Sequence, residues 1–165
     1  MRIIKDFFAL RLGTLSDYIL AIAGTLCVAI FAGMMSHKLL EMYPQHDPKN
    51  LRAINDTLAR SDGSEYIYFV IFLCITVPII EELMFRGVLW KMVEFTFSPI
   101  IALISVSILF ALAHGDLLHI IGVFPIGLWI GWLRYRSNSI FPSILAHMTN
   151  NTLATLAIIS ANIGG

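Results

Sequence analysis

The chain has 165 residues, of which 58% are hydrophobic and 13% are charged, and its formal net charge is zero. Soluble domains carry about 25% charged residues, so this composition excludes an ordinary soluble domain and predicts a membrane protein. The zero net charge lacks the basic excess that binding to nucleic acid requires, so we expect no nucleic-acid partner.

Residues 1–15 mix basic side chains with aromatic and aliphatic ones, which predicts an interfacial N-terminal segment rather than a cleaved signal peptide. Residues 16–165 predict a single transmembrane helical domain, an all-α polytopic bundle of about five transmembrane helices. The spans are expected at about residues 18–35, 66–93, 99–114, 118–133 and 140–163. Between the first two spans, residues 48–60 predict a short amphipathic helix.

Pro78 interrupts the second predicted span three residues before Glu81. Proline has no backbone N–H and clashes with the preceding turn of a helix. We therefore predict a kink that frees the carbonyl of Cys74 and leaves irregular backbone beside the acidic residues.

Lysine and arginine residues are more concentrated on one side of the predicted bundle, which places the N-terminus in the cytoplasm. The residues on that side are Arg2, Lys5, Arg11, Lys91, Arg134 and Arg136, and those on the other side are Lys38, Lys49, Arg52 and Arg60. We expect the polar groups within the spans to lie at one depth, at the floor of a cavity open to the cytoplasm.

Polar residues interrupt three of the predicted spans. Glu81 and Glu82 lie in the second span, His114 ends the third, and His147 and Asn151 lie one helical turn apart in the fifth. An ionised group at the centre of a span costs about 2.5–3.5 kcal/mol on insertion scales, so such residues usually have a function. A desolvated Glu81 beside a histidine suits a general base, and the Asn151 amide can donate to a developing oxyanion.

The other polar residues have structural interpretations. Glu82 and Arg86 are four residues apart in the favourable order, which predicts an ion pair that supports the bundle. Phe110 is expected to pack against His114. Asn150 is expected to face away from the site, and the loop residues are expected to be solvated, a set that comprises His37, His46, Asp116 and His119.

The ordered motifs resemble those of the CAAX-protease and bacteriocin-processing (Abi) family, which comprises intramembrane proteases of the type II CAAX prenyl endopeptidase kind. The motifs are Glu81-Glu82-x-x-x-Arg86, Phe110-x-x-x-His114 and His147-x-x-x-Asn151, and the resemblance covers about residues 66–160. It implies that Glu81 and His114 activate the attacking water, that His147 and Asn151 stabilise the oxyanion, and that Glu82 and Arg86 support the site.

The resemblance implies an endopeptidase that acts on a membrane-associated or lipidated peptide, in the cell membrane of a prokaryote. The residues also allow zinc to bind at Glu81, His114 and His147 with a water as fourth ligand. We favour a site without a cofactor, because no two of these ligands share a helix at a spacing such as H-E-x-x-H.

Another class of protein remains open at this stage. A non-catalytic immunity or regulatory protein, or a small proton-coupled carrier, would also place acidic residues and histidines within the membrane. The carrier is less favoured, because five spans offer no pair of repeats for alternating access. The oligomeric state is not predicted.

Overall fold

The computed structural model describes residues 6–46 and 49–163 as a helical bundle. Its long helices are α1 (Leu15–Met42), α2 (Lys49–Arg60), α3 (Gly63–Thr96), α4 (Pro99–Leu112), α5 (Leu117–Ser137) and α6 (Phe141–Ile163). The described residues contain no strand, which confirms the all-α class. The first five residues of the predicted interfacial segment, Pro48 of the predicted amphipathic helix, and residues 164–165 lie outside the described ranges.

Three helices, α1, α3 and α5, are long and apolar enough to cross a membrane, with mean hydropathies of 2.2, 2.1 and 1.5 over their most apolar windows. The fourth helix, α4, is apolar but only 14 residues long, and α6 carries the polar motif residues. The bundle thus contains helices of membrane-spanning length and apolarity, whereas the number of five spans stays a prediction.

The helices begin where the sequence supplies hydrogen-bonding caps. Thr14 and Asp17 form a reciprocal capping box at the start of α1. Ser98 and Asp116 accept hydrogen bonds from backbone N–H groups at the starts of α4 and α5. Each cap satisfies N–H groups that have no partner within their own helix.

The long helix α3 departs from α-helical geometry twice, at Phe72–Thr76 and at Leu83–Leu89, where its turns are π-helical. Pro78 lies two residues after the end of the first wide turn, which agrees with the predicted irregularity. Glu81 and Glu82 lie in the short α-helical piece between the two wide turns. The acidic pair therefore sits on a locally reshaped backbone.

Small residues bring α1 close to α5. The α-carbon of Gly24 lies so near the Trp129 ring that an added Cβ would overlap it. The neighbouring Thr25 is fully buried and accepts a 3.0 Å hydrogen bond from the indole Nε1 of Trp129. The contact between these helices thus combines a steric fit with one polar bond.

We predict that Gly24→Ala destabilises the bundle by about 1–3 kcal/mol, because the new methyl group must displace the Trp129 ring from Thr25. Gly33→Ala is the matched control on the same helix, since an added Cβ there has no atom within 4 Å. Alanine is the better helix former, so this control should be neutral or slightly stabilising. Thermal unfolding in detergent, followed by tryptophan fluorescence, measures both; equal melting temperatures for the two variants would contradict the close packing.

Candidate active site

A cavity of about 480 Å³ lies between α1, α3, α5, α6 and the turn from α4 to α5. All four residues predicted to be catalytic line it, namely Glu81, His114, His147 and Asn151. Apolar side chains form much of the remaining wall, among them Leu40, Val77, Val123, Ile126 and Ile158. The structure thus brings the predicted residues from α3, α6 and the turn after α4 to one cavity.

Glu82 and Arg86 form an ion pair beneath this cavity. Both side chains are 0% exposed, and Nη1 of Arg86 donates a 2.8 Å hydrogen bond to Oε1 of Glu82. The other terminal nitrogen of Arg86 donates to the carbonyl of Gly127 on α5, at 2.9 Å, and the guanidinium lies 4.4 Å from the centre of the Phe110 ring. The predicted pair is present, and it also ties α3 to α4 and α5.

His147 lies between the two acidic residues. Its Nδ1 is 2.9 Å from Oε1 of Glu82, and its Nε2 is 3.6 Å from a carboxylate oxygen of Glu81. His147 is almost fully buried, whereas the Glu81 side chain keeps 31% of its surface exposed. Glu81 is therefore the acidic residue that faces the cavity, and Glu82 is the one behind the imidazole.

Phe110 fixes the second imidazole. The carbonyl of Phe110 lies 2.9 Å from Nδ1 of His114, and the Phe110 ring makes edge contacts with the rings of both His114 and His147. The predicted packing of Phe110 against His114 is present. Because Nδ1 is held by a carbonyl, which only accepts hydrogen bonds, the Nε2 of His114 is the nitrogen that carries the lone pair of the neutral ring.

Asn151 is held by the irregular backbone of α3. Its Nδ2 donates a 3.0 Å hydrogen bond to the carbonyl of Leu73. In the first wide turn an N–H bonds to the carbonyl five residues earlier, as Val77 N–H does to the carbonyl of Phe72. In this pattern the carbonyl of Leu73 would need the N–H of residue 78. That residue is Pro78, which has no N–H. The proline therefore leaves the carbonyl of Leu73 open, because the turn is π-helical.

The expectation that Asn150 faces away from the site is wrong. Asn150 lines the cavity together with Asn151, and its Nδ2 lies 3.4 Å from Oδ1 of Asn151. The Leu73 carbonyl and the Asn150 amide together fix which end of the Asn151 amide is nitrogen. One N–H of Asn151 then remains for a further acceptor.

Three residues expected to be solvated line the cavity instead: His46, Asp116 and His119. Nε2 of His46 lies 2.8 Å from Oδ2 of Asp116, and the His119 ring packs 5.0 Å from the ring of His114. The backbone N–H of His119 donates to Asp116 and, with His46, keeps the pKa of Asp116 below its usual value. The sequence indicates only that Asp116 can cap a helix. The contact with His46 could not be predicted, because the two residues are 70 positions apart in the chain.

The position of the cavity bears on the predicted orientation. The N-terminal segment packs at one end of the bundle, where Ile140 N–H donates to the carbonyl of Ala9 and Arg136 pairs with Asp17. The cavity extends toward the opposite end, where His46 meets Asp116. A cytoplasmic N-terminus and a cavity open to the cytoplasm therefore cannot both be correct.

The alternative zinc site would need Glu81, His114 and His147 to share one ion. Within residues 6–46 and 49–163, no three His, Cys, Asp or Glu side chains are grouped so that they could hold a metal ion. Nδ1 of His147 is engaged by Glu82, an arrangement that is also usual for a histidine that binds a metal through Nε2, so the need for a metal stays open to experiment.

Comparisons with known proteins agree with the order of the motifs. The model of the Rce1-like family, described as type II CAAX prenyl endopeptidase Rce1-like, matches residues 63–153. A Bacillus subtilis protein named "Putative membrane peptidase YdiL" is 31% identical over 83 residues, which are 48% of this chain and 32% of that protein. The chain thus matches about a third of that relative's length. No solved structure matches the chain significantly.

We predict that Arg86→Ala destabilises the protein by about 3–5 kcal/mol, because it leaves the Glu82 carboxylate buried without its cation. Lys91→Ala is the control on the same helix, since Lys91 pairs with Glu94 at a partly exposed position and such pairs contribute about 0–1 kcal/mol. Yield and chemical unfolding in detergent measure both. An Arg86→Ala variant with normal stability and no activity would instead place Arg86 in direct contact with substrate.

Proposed function

The chain belongs to the Rce1-like family of type II CAAX prenyl endopeptidases, and from this premise we propose that it is an intramembrane endopeptidase. It hydrolyses a peptide bond in a membrane-associated or lipidated substrate, with a water activated by Glu81 and histidine. The observation that carries the proposal is the convergence of Glu81, His114, His147 and Asn151 on one cavity.

Glu81 is the general base in this proposal. Its carboxylate is the one acidic group of the pair that faces the cavity, so it takes a proton from the attacking water. His114 presents its Nε2 lone pair and assists by accepting a hydrogen bond from the same water. The water oxygen bonds to the carbonyl carbon of the substrate, and the protonated Glu81 then gives its proton to the leaving amine as the C–N bond breaks.

The oxyanion formed in this attack needs hydrogen-bond donors. Asn151 supplies the N–H that Leu73 does not use, and His147 supplies a donor from Nε2 when that nitrogen is protonated. Both side chains are held in position before the substrate binds, Asn151 by the Leu73 carbonyl and His147 by Glu82, which is the condition under which such groups stabilise a transition state most strongly.

The apolar wall of the cavity supports a substrate with a lipid chain or an apolar peptide segment. Val77, Val123 and Ile126 lie on the same cavity as the reacting groups, so an apolar moiety can be bound while its peptide bond reaches Glu81. We place the protein in a prokaryotic cell membrane. The substrate then approaches from the face opposite the N-terminal segment.

The reaction proposed here uses no metal. Peptide cleavage measured with and without a chelator tests this directly. The alternative of a non-catalytic immunity or regulatory protein, or of a proton-coupled carrier, is tested by the same variants. If immunity or regulation in cells survives the loss of Glu81 and His114, proteolysis does not underlie that function.

We predict that Glu81→Gln abolishes turnover while substrate binding is retained, because the amide keeps the shape of the side chain but cannot accept a proton. Asn151→Ala should retain slow activity, since the loss of one oxyanion donor costs about 10²–10³-fold. The assay is cleavage of a lipidated peptide by purified protein in liposomes, with and without a chelator.

Glu94→Gln is the matched control, because Glu94 lies on the same helix and pairs with Lys91 away from the cavity. It should cleave at the wild-type rate. Cleavage by folded Glu81→Gln at that same rate would contradict the proposed base, and loss of cleavage with the chelator, restored by zinc, would contradict the reaction without metal.

A further inference from the structure

The carboxylate of Glu82 has no direct part in the reaction proposed above, yet it contacts a residue that does. Glu82 is fully buried, and its Oε1 accepts hydrogen bonds from Arg86 at 2.8 Å and lies 2.9 Å from Nδ1 of His147. The oxygen thus joins an arginine, which is always charged, to an imidazole at the cavity. This arrangement restricts where the imidazole can carry its protons.

The restriction follows from what each group can donate. Oε1 of Glu82 already accepts a hydrogen bond from Arg86, and a carboxylate oxygen only accepts hydrogen bonds. The atom of His147 that faces it must therefore be Nδ1–H. A bare Nδ1 would place a lone pair against a buried negative charge, which is unfavourable in a medium of low dielectric constant.

We propose that Glu82 is a positioning residue, which keeps a proton on Nδ1 of His147 and so directs Nε2 of the ring toward Glu81 and the oxyanion of the substrate. The inference rests on the proposed function. The Nδ1–H bond does not break during turnover. The proton that is transferred in the reaction passes from the water to Glu81 and then to the leaving amine, while Nε2 of His147, 3.6 Å from the Glu81 carboxylate, faces the developing oxyanion.

The geometry supports this role on two further counts. Phe110 packs edge-on against the His147 ring, so the imidazole has little freedom to turn away from Glu82. Glu82, which is fully buried, faces Nδ1 of the ring, and Glu81, whose side chain is 31% exposed, faces Nε2. A carboxylate behind an imidazole that faces a reacting group fixes both its tautomer and its orientation.

The direct test is nitrogen NMR of wild-type protein labelled with ¹⁵N-histidine in detergent or nanodiscs, without substrate. His147→Ala identifies the His147 signals by their loss. We expect the neutral ring of His147 to carry its proton on Nδ1, which faces Glu82. A neutral ring with the proton on Nε2 and a bare Nδ1 would overturn the proposal.

The kinetic test is Glu82→Gln, with Glu94→Gln as the control on the same helix. In the folded fraction, we expect a fall in kcat of about 10- to 100-fold with little change in KM, and a changed pH profile of kcat, since partners of this kind act through the group that they orient. Wild-type kcat and pH profile in folded Glu82→Gln would overturn the positioning role.

The two tests separate this inference from the proposed function. If wild-type protein cleaves no lipidated peptide, the proposed function fails, while the tautomer of His147 is still decided by NMR. If Glu82→Gln does not fold, the NMR result on the wild type decides alone.

Discussion

A charge among apolar helices is stable only when an opposite charge and hydrogen bonds surround it, and in this protein that condition centres on Glu82. One oxygen of its carboxylate contacts both Arg86 and His147, and Arg86 in turn bonds to the carbonyl of Gly127. Helices α3, α5 and α6 are joined through these three contacts. The cavity and its polar lining depend on this buried set, because its loss would leave an unpaired charge in the bundle.

The backbone of α3 makes a second contribution. Pro78 and the π-helical turn before it leave the Leu73 carbonyl without a helical partner, and Asn151 of α6 takes that position. An irregular backbone is tolerated among membrane helices only where another group satisfies it. Helix α3 thus presents Glu81 to the cavity and buries Glu82 behind the cavity. It also binds the side-chain amide of Asn151 on α6.

Much of the fold and part of the site could be predicted from the sequence. The apolar runs predicted where the long helices lie, although α1 continues to Met42, beyond its expected end, and the Glu82–Arg86 pair followed from a spacing of four. The surroundings of Asn150 and His46 could not be predicted, since they depend on how α6 rotates and on a contact between distant loops. The role of the Leu73 carbonyl could not be predicted either, because the sequence does not reveal that the turn before Pro78 is π-helical. The roles of the site residues stay predictions.

A double-mutant cycle between Arg86 and His147 tests most directly whether Glu82 couples the bundle to the site. The free energies of unfolding of wild type, Arg86→Lys, His147→Ala and the double variant are compared in detergent. Because both residues contact the same carboxylate oxygen, we expect the two single effects to be non-additive by about 0.5–3 kcal/mol. Additivity within about 0.5 kcal/mol would contradict the account, since independent residues behave in that way.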